Sequence, residues 1–458
     1  FSTASAKEHP LKSLGDGDYV LAIVYTGGVS GSVLPYRGSG GLPTVRLIRD
    51  SLENEIRQAA PDTSAVLLLD VGDGLWGSGE ALVTKGYAPV RMYKAVRYDA
   101  ILLGNLDAAN PALDALEIPL IDGNSDFYKK YPAIPEAIPG ILLERGPFKI
   151  GIMGALFTAP KDKDPYEFHR KEARRLRDAG AHLLILMAHD AERDWSEYKK
   201  MGIDIILYQA TNRQLGDKPQ EAIESLTRKF GIAFAPMIGV NKATKAGIIS
   251  SFIRIKAGKG NIRLRAQQVR FPKGAPQDSH IVEVARSIEK ELSEKMDVQV
   301  GESSGKFSWA LGFPTQTGKL AVEGLREKSG ASVALLNTSG IRDGLDTGPI
   351  RMKHLVDMMP FGNRITTLDM PGETLLKIRA WRAPNGAMPV LWASNAEIDT
   401  KAYYRVATSD YLVETESSSP PWSFLQEGKN VHTADYLLDA VEQYIQIRRV
   451  LDPKDFQP

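Results

Sequence analysis

Short apolar runs recur through the first part of the chain, each ending in small or polar residues, and amphipathic stretches lie between several of them. The runs are Tyr19–Tyr25, Ala65–Leu69, Ala100–Leu103, Leu183–Met187 and Ile203–Leu207, four to seven residues each and mainly Val, Ile and Leu. Runs of that length and composition predict strands buried on both faces. Lys149–Ala155 predicts another strand. Between them, Thr44–Ala59 carries Val45, Ile48, Leu52 and Ile56 at helical spacing, and Tyr166–Gly180 and Ala191–Met201 also predict helices. Alternating strands and helices mean an α/β sheet with helices on its faces. Ligands of such sheets sit at the carboxyl ends of the strands, so the residues after each run are the informative ones.

Ala246–Ile255 and Asn261–Phe271 predict a β-pair joined by Gly258-Lys259-Gly260. The Pro272–Pro276 stretch has linker composition, and Ser279–Met296 then carries Ile281, Val284, Ile288 and Leu292 on one helical stripe. The expected organisation is a first domain at 1–275, a linker helix at 276–300 and a mixed α+β domain at 301–458. The tail Ala434–Val450 predicts an amphipathic helix with Leu437, Leu438, Val441, Tyr444 and Ile445, suited to closing its domain or docking on a partner.

With 57 Lys and Arg against 56 Asp and Glu, the net charge is +1, which gives no reason to expect nucleic acid or an anionic membrane as partner. No apolar run reaches transmembrane length. Cysteine is absent, which excludes disulfides, thiolate metal sites and cysteine nucleophiles.

Five strand ends carry the candidate chemistry: Tyr25–Gly31, Leu69–Gly74, Leu103–Asp107, Met187–Asp190 and Leu207–Asn212. Asp73, Asn105 and His189 lie at or just past three of them, and such hard oxygen and imidazole donors can converge on a divalent ion. Gly-Asp is equally a common turn, and Asn after Gly a common cap. Tyr25 and Trp76 suit packing better than binding.

The order of these segments resembles the 5′-nucleotidase family of metallophosphoesterases over nearly the whole chain. That family reads Asp-x-His, Gly-Asp, Gly-Asn-His-Glu-Phe-Asp, an isolated His, then Gly-His-x-His, and uses them for two metals and a His–Asp dyad. The resemblance implies a four-layer α-β-β-α sandwich followed by a smaller α+β C-terminal domain. The first motif here is Gly28-Val29-Ser30; Gly72-Asp73 is kept; the third reads Gly104-Asn105-Leu106-Asp107-Ala108-Ala109, losing both dyad residues. His189 is kept, and the last motif has become Ala210-Thr211-Asn212. Gly28 and Ala210 have no side-chain donor, and Leu106 cannot move a proton. No cofactor is therefore expected, with room for one divalent ion, manganese or zinc, on Asp73, Asn105 and His189.

The C-terminal half resembles the family's substrate-binding domain. Val333–Arg342 matches a strand ending in Asn-x-Gly-Gly-Ile-Arg, Pro360-Phe361-Gly362-Asn363 matches Pro-Phe-Gly-Asn, and Tyr404–Tyr411 matches the strand before the nucleoside loop. That loop departs from the family's Gly-Gly-Asp-Gly-Tyr: this chain has Val413–Phe424, with Glu414, Glu416, and Trp422 or Phe424 as rings to stack. Arg342 can hold an anion, Phe361 offers an aromatic face, and Asn337 and Asn363 offer donors and acceptors. A clamp within the domain would use Asn337 and Arg342 equally well.

The expected function is a non-catalytic 5′-nucleotidase-like binding or scaffold module, with a protein or a small anionic ligand as partner. The alternatives are a reduced-site metal-dependent phosphoesterase and a subunit of a surface or filament assembly. The resemblance implies a periplasmic, cell-surface or extracellular location, and leaves any upstream export signal or lipid anchor open.

Overall fold

The computed structural model describes residues 14, 19–34, 41–104, 107–123, 137–156, 164, 166–189, 195–210, 233–238, 250–258, 261–269, 278–383, 386, 388–395, 397–414 and 420–457. The chain divides into two compact units, Phe1–Glu289 and Lys290–Pro458.

The strands of the first unit are β1 (Tyr19–Thr26), β2 (Ser64–Asp70), β3 (Ala100–Leu102), β4 (Leu120–Ile121), β5 (Gly140–Arg145), β6 (Phe148–Leu156), β7 (Leu183–His189), β8 (Ile205–Ala210), β9 (Ala233–Ile238), β10 (Ser250–Gly258) and β11 (Asn261–Val269), of which β4, β5 and β9 are additions to those expected from the sequence. They form two sheets, ordered β11-β10-β1-β2-β3-β4 and β5-β6-β7-β8-β9. β1 to β4 run parallel, as do β6 to β9. β10 and β11 add an antiparallel edge beside β1.

Strand periodicity decides which way each residue faces. Leu21, Ile23 and Tyr25 of β1 and Leu67 and Leu69 of β2 join Ile150 and Ile152 of β6, Leu183, Ile185 and Met187 of β7, and Ile205 and Leu207 of β8 in one buried cluster between the sheets. The intervening residues of the second sheet, among them Leu184, Leu186 and Ile206, pack outward on Ala173 and Leu176 of helix Glu167–Asp178 and on Trp195 and Tyr198 of helix Trp195–Lys200. Helix Gly41–Ala59 covers the first sheet and buries Val45, Ile48, Leu52 and Ile56, the stripe read from the sequence. This is the α-β-β-α sandwich. Trp76 and Tyr25 are both buried packing residues.

The second unit holds β12 (Gln299–Ser303), β13 (Val333–Asn337), β14 (Gly348–Arg351), β15 (Arg364–Pro371), β16 (Val390–Ser394), β17 (Tyr403–Ser409), β18 (Lys429–Tyr436) and β19 (Val450–Leu451). Its main sheet runs β16-β13-β17-β15-β18, and β14-β12-β19 form a smaller one. Helix Ser279–Met296 has its expected bounds, and its buried stripe is Ile281, Ala285, Ile288 and Leu292.

The tail corrects the sequence reading. Ala434–Tyr436 belongs to β18, where Ala434 pairs with Ile365 and Tyr436 with Arg364, and the helix is Leu437–Arg448. Pairing with a strand about 70 residues away overrides local periodicity. The helix buries Leu437, Leu438, Val441, Tyr444 and Ile445 and packs on helix Gln316–Ser329, so this face closes its own unit.

Ile185 is fully enclosed at the centre of the inter-sheet cluster. Ile185→Ala should lower the unfolding free energy by about 2–5 kcal/mol in urea titration. A loss below about 1 kcal/mol would mean that the two sheets do not meet at this side chain.

Candidate functional sites

At the carboxyl ends of β1 and β2 the two loops are joined by main-chain hydrogen bonds. The Val71 N–H donates to Thr26 O, Gly28 N–H to Gly72 O at 2.8 Å, Ser30 N–H to Asp73 O at 2.7 Å and Gly31 N–H to Gly74 O at 2.9 Å. The joined loops need unusual backbone: Gly28, Ser30, Gly31, Gly72 and Asp73 all have positive φ, +52° for Ser30 and +53° for Asp73. Left-handed backbone at a residue other than glycine is uncommon and persists only where its surroundings hold it.

Two buried carboxylates do the holding. Asp70, at the end of β2, accepts hydrogen bonds from the Gly72 N–H at 2.9 Å, the Tyr93 hydroxyl at 2.9 Å and the Thr26 hydroxyl. Thr26 also bonds the Tyr98 hydroxyl at 2.8 Å, and Tyr98 stacks on Tyr93. Asp107 accepts from the Leu75 N–H at 2.7 Å and the Gly104 N–H at 2.9 Å, tying the loop after β2 to the loop after β3. Burial raises both acids, Asp70 to about 6 and Asp107 to about 8, where the neighbouring Asp73 charge adds to the effect.

Within this frame Asp73 Oδ2 lies 2.9 Å from His189 Nε2 at the end of β7. The structure therefore brings together two of the three residues singled out from the sequence. The third, Asn105, lies outside the described residues, as does Leu106. Gly104 makes room for Asp73: a Cβ there would stand 2.2 Å from Asp73 Oδ1 and 2.3 Å from Asp73 N. The loop after β3 can approach this closely only as glycine.

A spacing of 2.9 Å fits a hydrogen bond. It also fits two adjacent donors on one ion with bonds of about 2.1 Å, since the edge of a right-angled pair is then about 3 Å. Asp73 and His189 thus fit part of the coordination sphere of a single divalent cation. They do not fit two: the corresponding positions 28, 30 and 210 are Gly, Ser and Ala, and among the described residues no three His, Cys, Asp or Glu side chains form a metal-holding group. Asp70 and Asp107 were not singled out in the sequence. Their signal was a second Asp three residues before Asp73 and two after Asn105, indistinguishable there from turn residues.

The second candidate site lies within the C-terminal unit. Leu336, Asn337, Gly340, Ile341, Met359, Phe361, Asn363 and Leu437 line a shallow surface depression. Asn337, Phe361 and Asn363, picked from separate motifs, share this one wall. Arg342 stands beside it, its guanidinium 5.5 Å from the Phe361 ring centre and one N–H on Ser339 O at 3.3 Å. Its remaining donors suit an anion. Phe361 is 42% exposed, high for a large aromatic side chain. Asn337 Nδ2 donates to Ser339 Oγ, whereas the Asn363 side-chain amide makes no hydrogen bond among the described residues. The rim is fixed by its main chain: the Asn363 N–H donates to Phe361 O, and Asn363 O accepts the Leu437 N–H at 2.9 Å. Trp422 is buried against Leu412 and Leu425, so it serves the core and is not a ring for stacking.

The family model for the 5′-nucleotidase C-terminal domain matches residues 300–388. Protein UshA of Yersinia enterocolitica is 24% identical over 216 residues, 42% of this chain, and the match spans only 39% of that relative's length. Protein UshA of Escherichia coli is 20% identical over an alignment covering 99% of this chain and 96% of that protein. Among solved structures, a putative 5′-nucleotidase from Staphylococcus aureus superposes with TM-score 0.63 at 13% identity, covering 94% of this chain and 99% of that one. The 5′-nucleotidase precursor of Thermus thermophilus gives TM-score 0.54 at 17% identity, covering 94% and 97%. At these identities the structural likeness establishes the two-domain fold.

Gly104→Ala should displace Asp73 and destabilise the first unit by about 1–3 kcal/mol, the usual range for overpacking. The check is a urea titration alongside the His189 imidazole resonances. Unchanged stability and an unmoved His189 signal would mean that Asp73 is not held against Gly104.

Proposed function

Because the chain belongs to the 5′-nucleotidase family, we propose that it is a ligand-holding member of that family which does not hydrolyse phosphoesters. Its ligand is a small planar anion held in the C-terminal pocket, with the ring on Phe361, the acid group on Arg342 and the polar edge on Asn337 and Asn363. The site of action is the periplasm or the cell surface, where the family mostly works. The names of its relatives, 5′-nucleotidase and apyrase among them, make a nucleoside monophosphate the first ligand to test.

One observation carries the non-hydrolytic part of this reading. The loop after β1, where the family places Asp-x-His, is Gly28-Val29-Ser30 and is joined to the loop after β2 through its main chain. It brings no anion or imidazole to the strand ends. Asp73 and His189 then offer one carboxylate and one imidazole, too little to offset the charge of two divalent ions. Nor does a proton donor stand at position 106, which is Leu.

A second reading, a hydrolase with one metal, has its own support. Asp73 is kept in a strained backbone conformation at coordination distance from His189, and strain of this kind clusters at functional sites.

Calorimetric titration with manganese and zinc, followed by an assay of AMP and p-nitrophenyl phosphate, separates the two. The expected result is no hydrolysis above that of Asp73→Ala, and AMP affinity reduced about tenfold or more by Arg342→Ala, as befits loss of a charged hydrogen bond worth about 1.5–3 kcal/mol. Stoichiometric metal together with hydrolysis abolished by Asp73→Ala would establish the hydrolase instead.

A further inference from the structure

Between β12 and helix Gln316–Ser329 the chain reads Phe307-Ser308-Trp309-Ala310-Leu311-Gly312-Phe313-Pro314. Only the first of its large apolar residues turns inward. Phe307 is fully buried, and its N–H donates to Leu345 O at 2.8 Å. The others face solvent: Trp309 is 39% exposed, Leu311 54% and Phe313 55%. The loop that carries them is tied at its base. Ser308 O accepts the Thr317 hydroxyl at 2.9 Å, and the Ser308 N–H donates to Gln316 Oε1 at 3.0 Å. Its tip is closed by the Phe313 N–H on Ala310 O at 3.3 Å, with Gly312 at φ +85°. A tethered loop that holds three large apolar side chains in water marks a surface that something else covers.

This loop lies beside Arg342. The Trp309 indole N–H donates to the carbonyl of Ile341, the residue directly before Arg342, at 2.9 Å. Gly344 permits the approach, since a Cβ there would stand 2.8 Å from Phe307 O and 3.3 Å from Trp309 Cβ. The Arg342 guanidinium in turn stands against the exposed Phe361 ring. Among the described residues Arg342 has no carboxylate partner; its hydrogen bond goes to Ser339 O. Asp343, next in the chain, is engaged by the Gly344 N–H at 2.7 Å. The face is therefore apolar with one unneutralised cation, and its complement is an apolar partner with one negative charge. The depression beside it is shallow, and the carboxamides of Asn337 and Asn363 carry the donor and acceptor that a peptide group matches. A chain end meets all of these demands: it lies extended on an open surface, and its planar carboxylate fits a guanidinium fork.

We propose that this face captures the C-terminus of a peptide or protein whose last residues are apolar. The terminal carboxylate sits on Arg342, the apolar side chains on Trp309, Leu311 and Phe313, and the main chain against Asn363. This rests on the reading of Arg342 as the anion-holding residue given above. A nucleoside monophosphate on Arg342 and Phe361 does not need the loop tip, so the two ligands part at Leu311 and Phe313.

The probes are peptides of acetyl-Gly-Ser-Ala followed by Leu-Phe, Val-Leu or Ile-Trp, whose one charge is the terminal carboxylate. Calorimetry on the whole chain should show saturable binding of at least one of them. Amidation of the C-terminus, or Arg342→Ala, should weaken it about tenfold or more, as befits loss of a charged hydrogen bond. Leu311→Ser and Phe313→Ser, both at exposed positions, should weaken the peptide several-fold and leave AMP titrations unchanged. Binding of none of the peptides, or equal binding of acid and amide, overturns the proposal; AMP binding in that case leaves the pocket reading standing. Peptide binding that AMP does not displace upholds the proposal and tells against a nucleotide in the pocket. Two other occupants would also overturn it. One is a bilayer, shown by sedimentation with phosphatidylcholine–phosphatidylglycerol vesicles that Phe313→Ser abolishes and the peptides do not compete. The other is a second copy of the chain, shown by a dimer in light scattering that Phe313→Ser dissociates.

Discussion

Every position discussed at the strand ends depends on the layer of side chains between the two sheets of the first unit. Leu21, Ile23 and Tyr25 face one way and Ala22 and Val24 the other, and the same alternation holds in β2, β6, β7 and β8. A one-residue slip in any of these strands would turn its inner face outward. The register is therefore strongly specified, and with it the height at which β1, β2 and β7 each stop. Asp73 and His189 meet because β2 and β7 are pinned by packing well below them, and the loops after β1 and β2 are tied together by main-chain hydrogen bonds.

Polar residues then act on a frame already in place. Asp70 accepts main-chain and hydroxyl hydrogen bonds and Asp107 main-chain ones, and each is driven toward its protonated form by burial. In an enzyme of the family's usual design, charge at this rim would be offset by cations. Here the carboxylates are satisfied by the protein itself, through Tyr93, Thr26 and the amides of Gly72, Leu75 and Gly104. The arrangement works as a brace around the loops, with Asp73 and His189 as the pair left facing each other at its mouth.

Much of this was legible in the sequence, and what was not has a physical cause. β1, β2, β3, β6, β7 and β8 were readable because burial on both faces demands unbroken apolar runs, and helix Ser279–Met296 because its stripe is regular, whereas the sequence reading held no strand at β4, β5 or β9. The α/β sandwich and the two-domain family followed from motif order. Ala434–Tyr436 was misassigned because its pairing partner, the start of β15, lies about 70 residues away. Asp70 and Asp107 were passed over because a buried carboxylate at a strand end looks like a turn residue until its donors are known, and those donors come from four different segments. Arg342 and Phe361 were each visible, but their stacking needed β13 and β15 to bring together residues from separate motifs.

The backbone after β1 limits which side chains its loop can carry. Gly28 and Ser30 sit at φ of +60° and +52°, and both give their N–H groups to the neighbouring loop. Putting back an aspartate at position 28 would place a side chain in left-handed backbone where glycine now stands, at a cost of roughly 1 kcal/mol, before any ion arrived to stabilise it. That substitution alone would lower stability without restoring a pair of metal positions. The main-chain bonds between the two loops thus favour glycine at position 28 over any side chain that could reach an ion at the strand ends.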